Sequence, residues 1–246
     1  MTAERDVKQS AAPGLDSQRR RPVGIAPLTL IALYLGLSAA RGVGAVPASW
    51  ALMPVVDTAW LNGLVVAAAL AWMLLSGTPF AEIGLRGPRI GIPLGRIVVA
   101  TIVIDTVLVG AATPFLEGIF GAASPVDRFA AIPGNLQLLI FLIPAMWLLA
   151  AFGEEFFFRG LLLTTLARLL GGSRAAVAGA VVLQAVAFGA IHLYQGPAKA
   201  AAIGVGGLVY GAAFVLAGWS LWPVILAHGI NDTIGLLLVY TGTVQA

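Results

Sequence analysis

The sequence predicts an all-α fold, a polytopic transmembrane helical bundle of about seven to eight spans with its site inside the bundle. Three observations lead there. Of 246 residues, 59% are hydrophobic and 10% charged, at a mean hydropathy of +0.96, where soluble domains carry about 25% charge. At about 20 apolar residues per crossing, the length supplies roughly seven spans and leaves little for an extramembrane domain. Runs such as Leu136 to Phe152 and Leu161 to Leu170 are apolar on every side, whereas a transmembrane barrel alternates in segments of about ten residues. The absence of cysteine excludes disulfides, zinc–thiolate sites and a thiol nucleophile.

Residues 1–22 hold Arg5, Lys8 and Arg19-Arg20-Arg21 with Pro13, Gly14 and Ser17, a composition that cannot bury enough apolar surface to order itself. They read as a disordered basic tail rather than a cleaved signal peptide. The tail carries five of the 14 basic residues against 11 acidic ones, so the excess of charge is local and nucleic acid is not an implied partner. Residues 23–246 form one transmembrane domain with its motif-bearing core at about 135–241.

The spans expected in order are about 25–45, 57–76, 91–113, 135–170, 174–195, 198–217 and 220–241. The fourth would extend roughly 54 Å as a straight helix, so it must tilt, project beyond the bilayer or break near Gly160, which allows an eighth short span. Gly171 and Gly172 suit the tip of the hairpin to the fifth. Arg86, Arg89 and Arg96 follow the second span, and Arg168 and Arg174 follow the fourth. With the tail, these fall on one side if spans alternate, which predicts a cytoplasmic N-terminus in the plasma (cytoplasmic) membrane. Trp50, Trp60, Trp72, Trp219 and Trp222 lie near span ends, as interfacial belts or bundle packing would have it. Gly207 to Gly211 is a close-packing signature.

Charge at membrane depth is costly and marks sites. In Gly153-Glu154-Glu155-Phe156-Phe157-Phe158-Arg159, two carboxylates and a guanidinium interrupt a long apolar run. Glu155 and Arg159 are spaced to pair along a helix. Glu154 then points about 100° away, unpaired within its helix and suited to a general base. Both histidines, His192 and His228, fall in apolar spans. His228 and Asp232 share one helical face, where the carboxylate could orient the imidazole or share a metal with it, and Asn231 lies one position round. Counted from the 171–172 hairpin, Glu154 and His192 stand level, able to hold a water between them. A lone Glu–Arg pair or a lone buried histidine is commonly structural, but six such groups on three helices are hard to explain as packing. Asp105 and Arg41 read as structural.

These residues resemble the signature of the CPBP family of intramembrane proteases, which includes CAAX prenyl proteases and Abi-like proteins of bacteriocin processing and self-immunity. The resemblance lies in Glu154-Glu155 to Arg159, Phe188 to His192, and His228 to Asp232 in that order, and in Phe80 to Arg86. It implies that Glu154 activates water, His192 helps hold it, and His228 with Asp232 stabilises the oxyanion or completes a metal site. Glu155 and Arg159 brace the helix or position the substrate, with Phe188 and Asn231 supporting. Asp232 departs from the Asn of the CAAX branch, and an ionised carboxylate repels an oxyanion. A zinc-like site from Glu154, His192, His228 and Asp232 is chemically feasible.

The leading expectation is an intramembrane endopeptidase that cleaves a membrane-anchored peptide or protein substrate, prenylated or not, among membrane lipids. The alternatives are a non-proteolytic scaffold or self-immunity factor of the same fold, and an ion-coupled carrier using Asp105, Glu154 and His192. No aspartate-rich motif for a prenyl diphosphate is present, and no serine triad competes.

Overall fold

The computed structural model describes residues 25–42, 59–86, 93–121 and 130–244. The expectations for the basic tail, Trp50 and Arg89 lie outside the described residues. Seven helices carry the described chain: α1 (Ile25–Gly42), α2 (Ala59–Ser76), α3 (Leu94–Phe120), α4 (Leu136–Leu169), α5 (Arg174–Ala190), α6 (Pro197–Leu216) and α7 (Trp222–Tyr240). Of these, α3, α4, α6 and α7 are long and apolar enough to cross a bilayer, and shorter apolar stretches lie in α1, α2 and α5. The chain is an integral membrane protein. Val99, Val103 and Val107 of α3 point outward, which suits a hydrocarbon solvent that has no aversion to apolar side chains.

Two expected boundaries shift. Helix α3 continues through Pro114 to Phe120 instead of stopping at 113. Proline removes one donor and crowds the preceding turn at Gly110 O, a loss that transmembrane helices tolerate. Helix α5 ends at Ala190, so His192 stands in the following turn and not within the span. Its amide bonds Gly189 O at 2.9 Å, and Gly196, at φ 96°, leads into Pro197 at the first turn of α6.

Helix α4 does not break at Gly160. It is π-wound over Met146–Phe152 and Glu155–Leu163, and the widened i→i+5 turn is a device common at functional sites. Gly160 serves close approach: a Cβ there would lie 3.0 Å from Ile83 O. The Phe80–Arg86 segment docks at that level. Gly84, at φ 90°, accepts Leu221 N–H at 2.9 Å, and Arg86 donates to Gly218 O. Glu82 pairs with Arg168 at 3.5 Å. This short connector thus ties the end of α4 to the α6–α7 turn.

The hairpin tip at Gly171 (φ 89°) and Gly172 (φ 66°) is as expected, followed by a Ser173 cap on Ala176 N–H at 3.1 Å. The 207–211 glycines do pack closely. A Cβ on Gly207 would meet Ala185 Cα at 3.0 Å, and one on Gly211 would meet Gln184 Nε2 at 2.5 Å. This contact fixes α5, which leads into the His192 turn, against α6.

Candidate active site

The polar residues predicted on separate spans converge on one cavity of about 200 Å³ between α3, α4, α6 and α7. Its wall includes Glu154, Glu155, His192, His228, Asn231 and Asp232. At about 30 Å³ of liquid volume per water, that is space for several waters or a short stretch of peptide backbone.

Glu155 is the hub. Arg159 Nη1 donates to its Oε1 at 3.0 Å, and His228 Nδ1 donates to the same oxygen at 2.8 Å. Because a carboxylate accepts, Nδ1 carries the proton and the other ring nitrogen, Nε2, is turned toward Glu154 Oε2 at 4.0 Å and Asp232 Oδ2 at 3.6 Å. The imidazole is therefore oriented across helices by Glu155, and not along its own helix by Asp232 as the i,i+4 spacing suggested. Glu154 lines the cavity beside Glu155, on a backbone that is π-wound from Glu155 onward.

Arg159 is fully buried. Beyond Glu155, its guanidinium donates to Gly207 O at 3.4 Å and lies over the rings of Phe188 and Tyr210, 4.7 and 5.4 Å from their centroids. Phe188 stacks edge-on against His192 at 4.9 Å, and its carbonyl accepts His192 Nδ1–H at 2.7 Å. That bond fixes the tautomer, leaving the lone pair on Nε2. Trp147 covers Gly229, beside His228, and donates to Thr233 Oγ1 at 3.0 Å.

Two site residues, Asn62 and Tyr34, escaped the sequence reading, and Asp105, named there only as structural or as part of an ion relay, joins the site. Asp105, read as structural, lines the cavity and accepts from Asn231 Nδ2 at 3.1 Å. A Cβ on Gly206 would lie 2.7 Å from Asp105 Oδ1, so the glycine makes room for this carboxylate. Asn62 and Tyr34, from helices read only as hydrophobic, reach Glu154: Asn62 Nδ2 donates to Glu154 Oε1 at 3.2 Å, and Tyr34 donates to Asn62 Oδ1. A lone asparagine in an apolar run was the available signal.

The zinc-like site is not supported by this arrangement. Among the described residues no three His, Asp or Glu side chains gather as a metal-binding group. His228 Nδ1 bonds Glu155 and His192 Nδ1 bonds Phe188 O, which fixes the orientation of each imidazole.

Residues 136–234 match the family model described as Type II CAAX prenyl endopeptidase Rce1-like. The motif-bearing core is similar to that family over this segment. This is the CPBP relationship that the three motifs indicated, and the matched segment runs from the start of α4 through His228 and Asp232. No curated protein and no solved structure matches the chain. Within the matched segment the three motifs occupy α4, the end of α5 with its following turn, and α7, so the cavity is built mainly from that segment. Asp105, Asn62 and Tyr34 enter from outside it.

Proposed function

We propose that the protein is an intramembrane endopeptidase that hydrolyses a peptide bond of a membrane-anchored substrate with water activated by Glu154. The observation that carries this is the pairing of a secured Glu154 with an oriented His228 in one cavity. Oε1 of Glu154 is held by Asn62, while Oε2 lies 4.0 Å from His228 Nε2, a separation that suits a bridging water better than direct contact.

In the reaction, Glu154 Oε2 takes a proton from water as the water oxygen attacks the scissile carbonyl carbon. The carbonyl π electrons move to oxygen, giving a tetrahedral oxyanion. Glu154 then passes its proton to the amide nitrogen, the C–N bond breaks, and a carboxyl and an amine product leave. His192, with its lone pair on Nε2, accepts from the attacking water and aligns it. With Nδ1–H given to Glu155, His228 donates to the oxyanion through Nε2–H as the imidazolium, and the second amide hydrogen of Asn231, whose first is tied to Asp105, is the other donor. Asp232 Oδ2, 3.6 Å from that nitrogen, balances the charge of the imidazolium.

Membrane lipid is the medium, and the family description directs the first substrates to peptides bearing a C-terminal prenylated cysteine motif, with unprenylated tail-anchored peptides beside them. The test is cleavage by purified protein in liposomes, wild type against Glu154→Gln. Loss of at least about 100-fold in kcat, the low end for a general base, is expected with the fold intact. Equal cleavage by both proteins would overturn the assignment.

A further inference from the structure

The Glu154 carboxylate has two oxygens, and a general base needs one of them presented to water in a fixed direction. The first two helices supply that constraint. Asn62 stands in α2 among buried Val65, Val66 and Ala69, and is itself buried. Its Nδ2 donates to Leu149 O at 3.3 Å and to Glu154 Oε1 at 3.2 Å. Both of those partners only accept, so the amide nitrogen must face them. Its Oδ1 takes the hydroxyl hydrogen of buried Tyr34 in α1. Each polar atom of the amide is used, which is how such a group is tolerated in an apolar interior.

Tyr34 is fixed in turn. Its ring packs against Phe157 at 4.2 Å and Phe158 at 5.8 Å between centroids, on the same turn of α4 as Glu154 and Glu155. The result is a relay of position from α1 through α2 to the carboxylate. With Oε1 occupied, Oε2 is the oxygen turned toward His228.

We propose that Asn62, locked by Tyr34, is a positioning residue that selects Glu154 Oε2 as the basic atom, so that α1 and α2, which lie outside the family match, complete the active site. This rests on the reading of Glu154 as the base. Asn62→Leu removes the clamp, and misplacing a reacting group by about 1 Å costs on the order of 100-fold, so a kcat loss of roughly 10- to 100-fold with KM unchanged is expected. Because Asn62→Leu strands the Tyr34 hydroxyl, the Asn62→Leu/Tyr34→Phe double variant, which removes both polar groups together, separates folding from positioning.

The experiment measures kcat, KM and thermal midpoint in detergent for wild type, both Asn62 variants, Glu154→Gln, and Glu154→Gln carrying the double change. The expected result is a double variant that melts close to wild type, loses kcat but not KM, and adds nothing to the loss already caused by Glu154→Gln. A folded double variant with kcat within about threefold of wild type, beside an inactive Glu154→Gln, overturns the positioning role alone. An active Glu154→Gln overturns the reading of Glu154 itself, and the positioning role with it.

Discussion

Removing the guanidinium of Arg159 tests how the interior charges of α4 are held. Arg159 and Glu155 are each 0% exposed and lie 3.0 Å apart. With an effective dielectric near 20, a unit pair at that separation interacts by about 5 kcal/mol. Arg159→Met retains the side-chain bulk but leaves a buried carboxylate facing only His228. Breaking one partner of such a pair costs about 3–5 kcal/mol, in agreement with the Coulomb figure. At roughly 2–4 °C per kcal/mol for a chain of this size, the midpoint in detergent should fall by about 6–20 °C. Glu155→Leu/Arg159→Met removes both charges, so it should recover much of the loss. It should still fall short of wild type by about 1–3 kcal/mol, because His228 Nδ1 then loses its acceptor. The assay is thermal unfolding of the purified proteins followed by tryptophan fluorescence. A single variant within about 1 kcal/mol of wild type, or a double variant no better than the single, would refute the reasoning, since either would mean that no uncompensated charge had been created.

Two further outcomes follow from packing, beside those for Glu154 and Asn62. Gly229→Ala places a Cβ 2.6 Å from the Trp147 ring, and overpacking of that kind should cost about 1–3 kcal/mol; the same melting assay reads it, together with reduced cleavage because His228 is the adjacent residue. Among the described residues the buried Tyr210 hydroxyl has no hydrogen-bond partner, so Tyr210→Phe should leave the midpoint unchanged or raised, and a drop of several degrees would show that a group in the cavity it lines satisfies the hydroxyl.

Where the determinant was local, the sequence could be read directly. Hydropathy placed every helix, because in a bilayer a long apolar run has no alternative to satisfying its own backbone groups. Glu154, Glu155, Arg159, His192, His228 and Asp232 stood out because ionisable groups in such runs are costly, and all six do line or brace one cavity. Spacing along one helix foretold the Glu155–Arg159 pair, and small residues foretold the tight approach of α5 and α6.

What spacing could not supply was partnership between helices. An i,i+4 rule ties His228 to Asp232, yet Glu155, 73 positions earlier, takes its Nδ1. Asp105 looked like an isolated charge until Asn231 and Gly206 met it from two other helices. Asn62 and Tyr34 offered only a polar atom each in apolar surroundings, and their meaning depends on α1 and α2 being laid against α4. The sequence by itself determined which segments enter the membrane and which charged groups they carry there, since both follow from the transfer of single residues and runs into hydrocarbon. Tertiary structure alone decided which oxygen of Glu154 faces His228 and which residue orients that histidine, because hydrogen bonds depend on atoms meeting within about 3 Å, and only the packing of distant helices brings those atoms together.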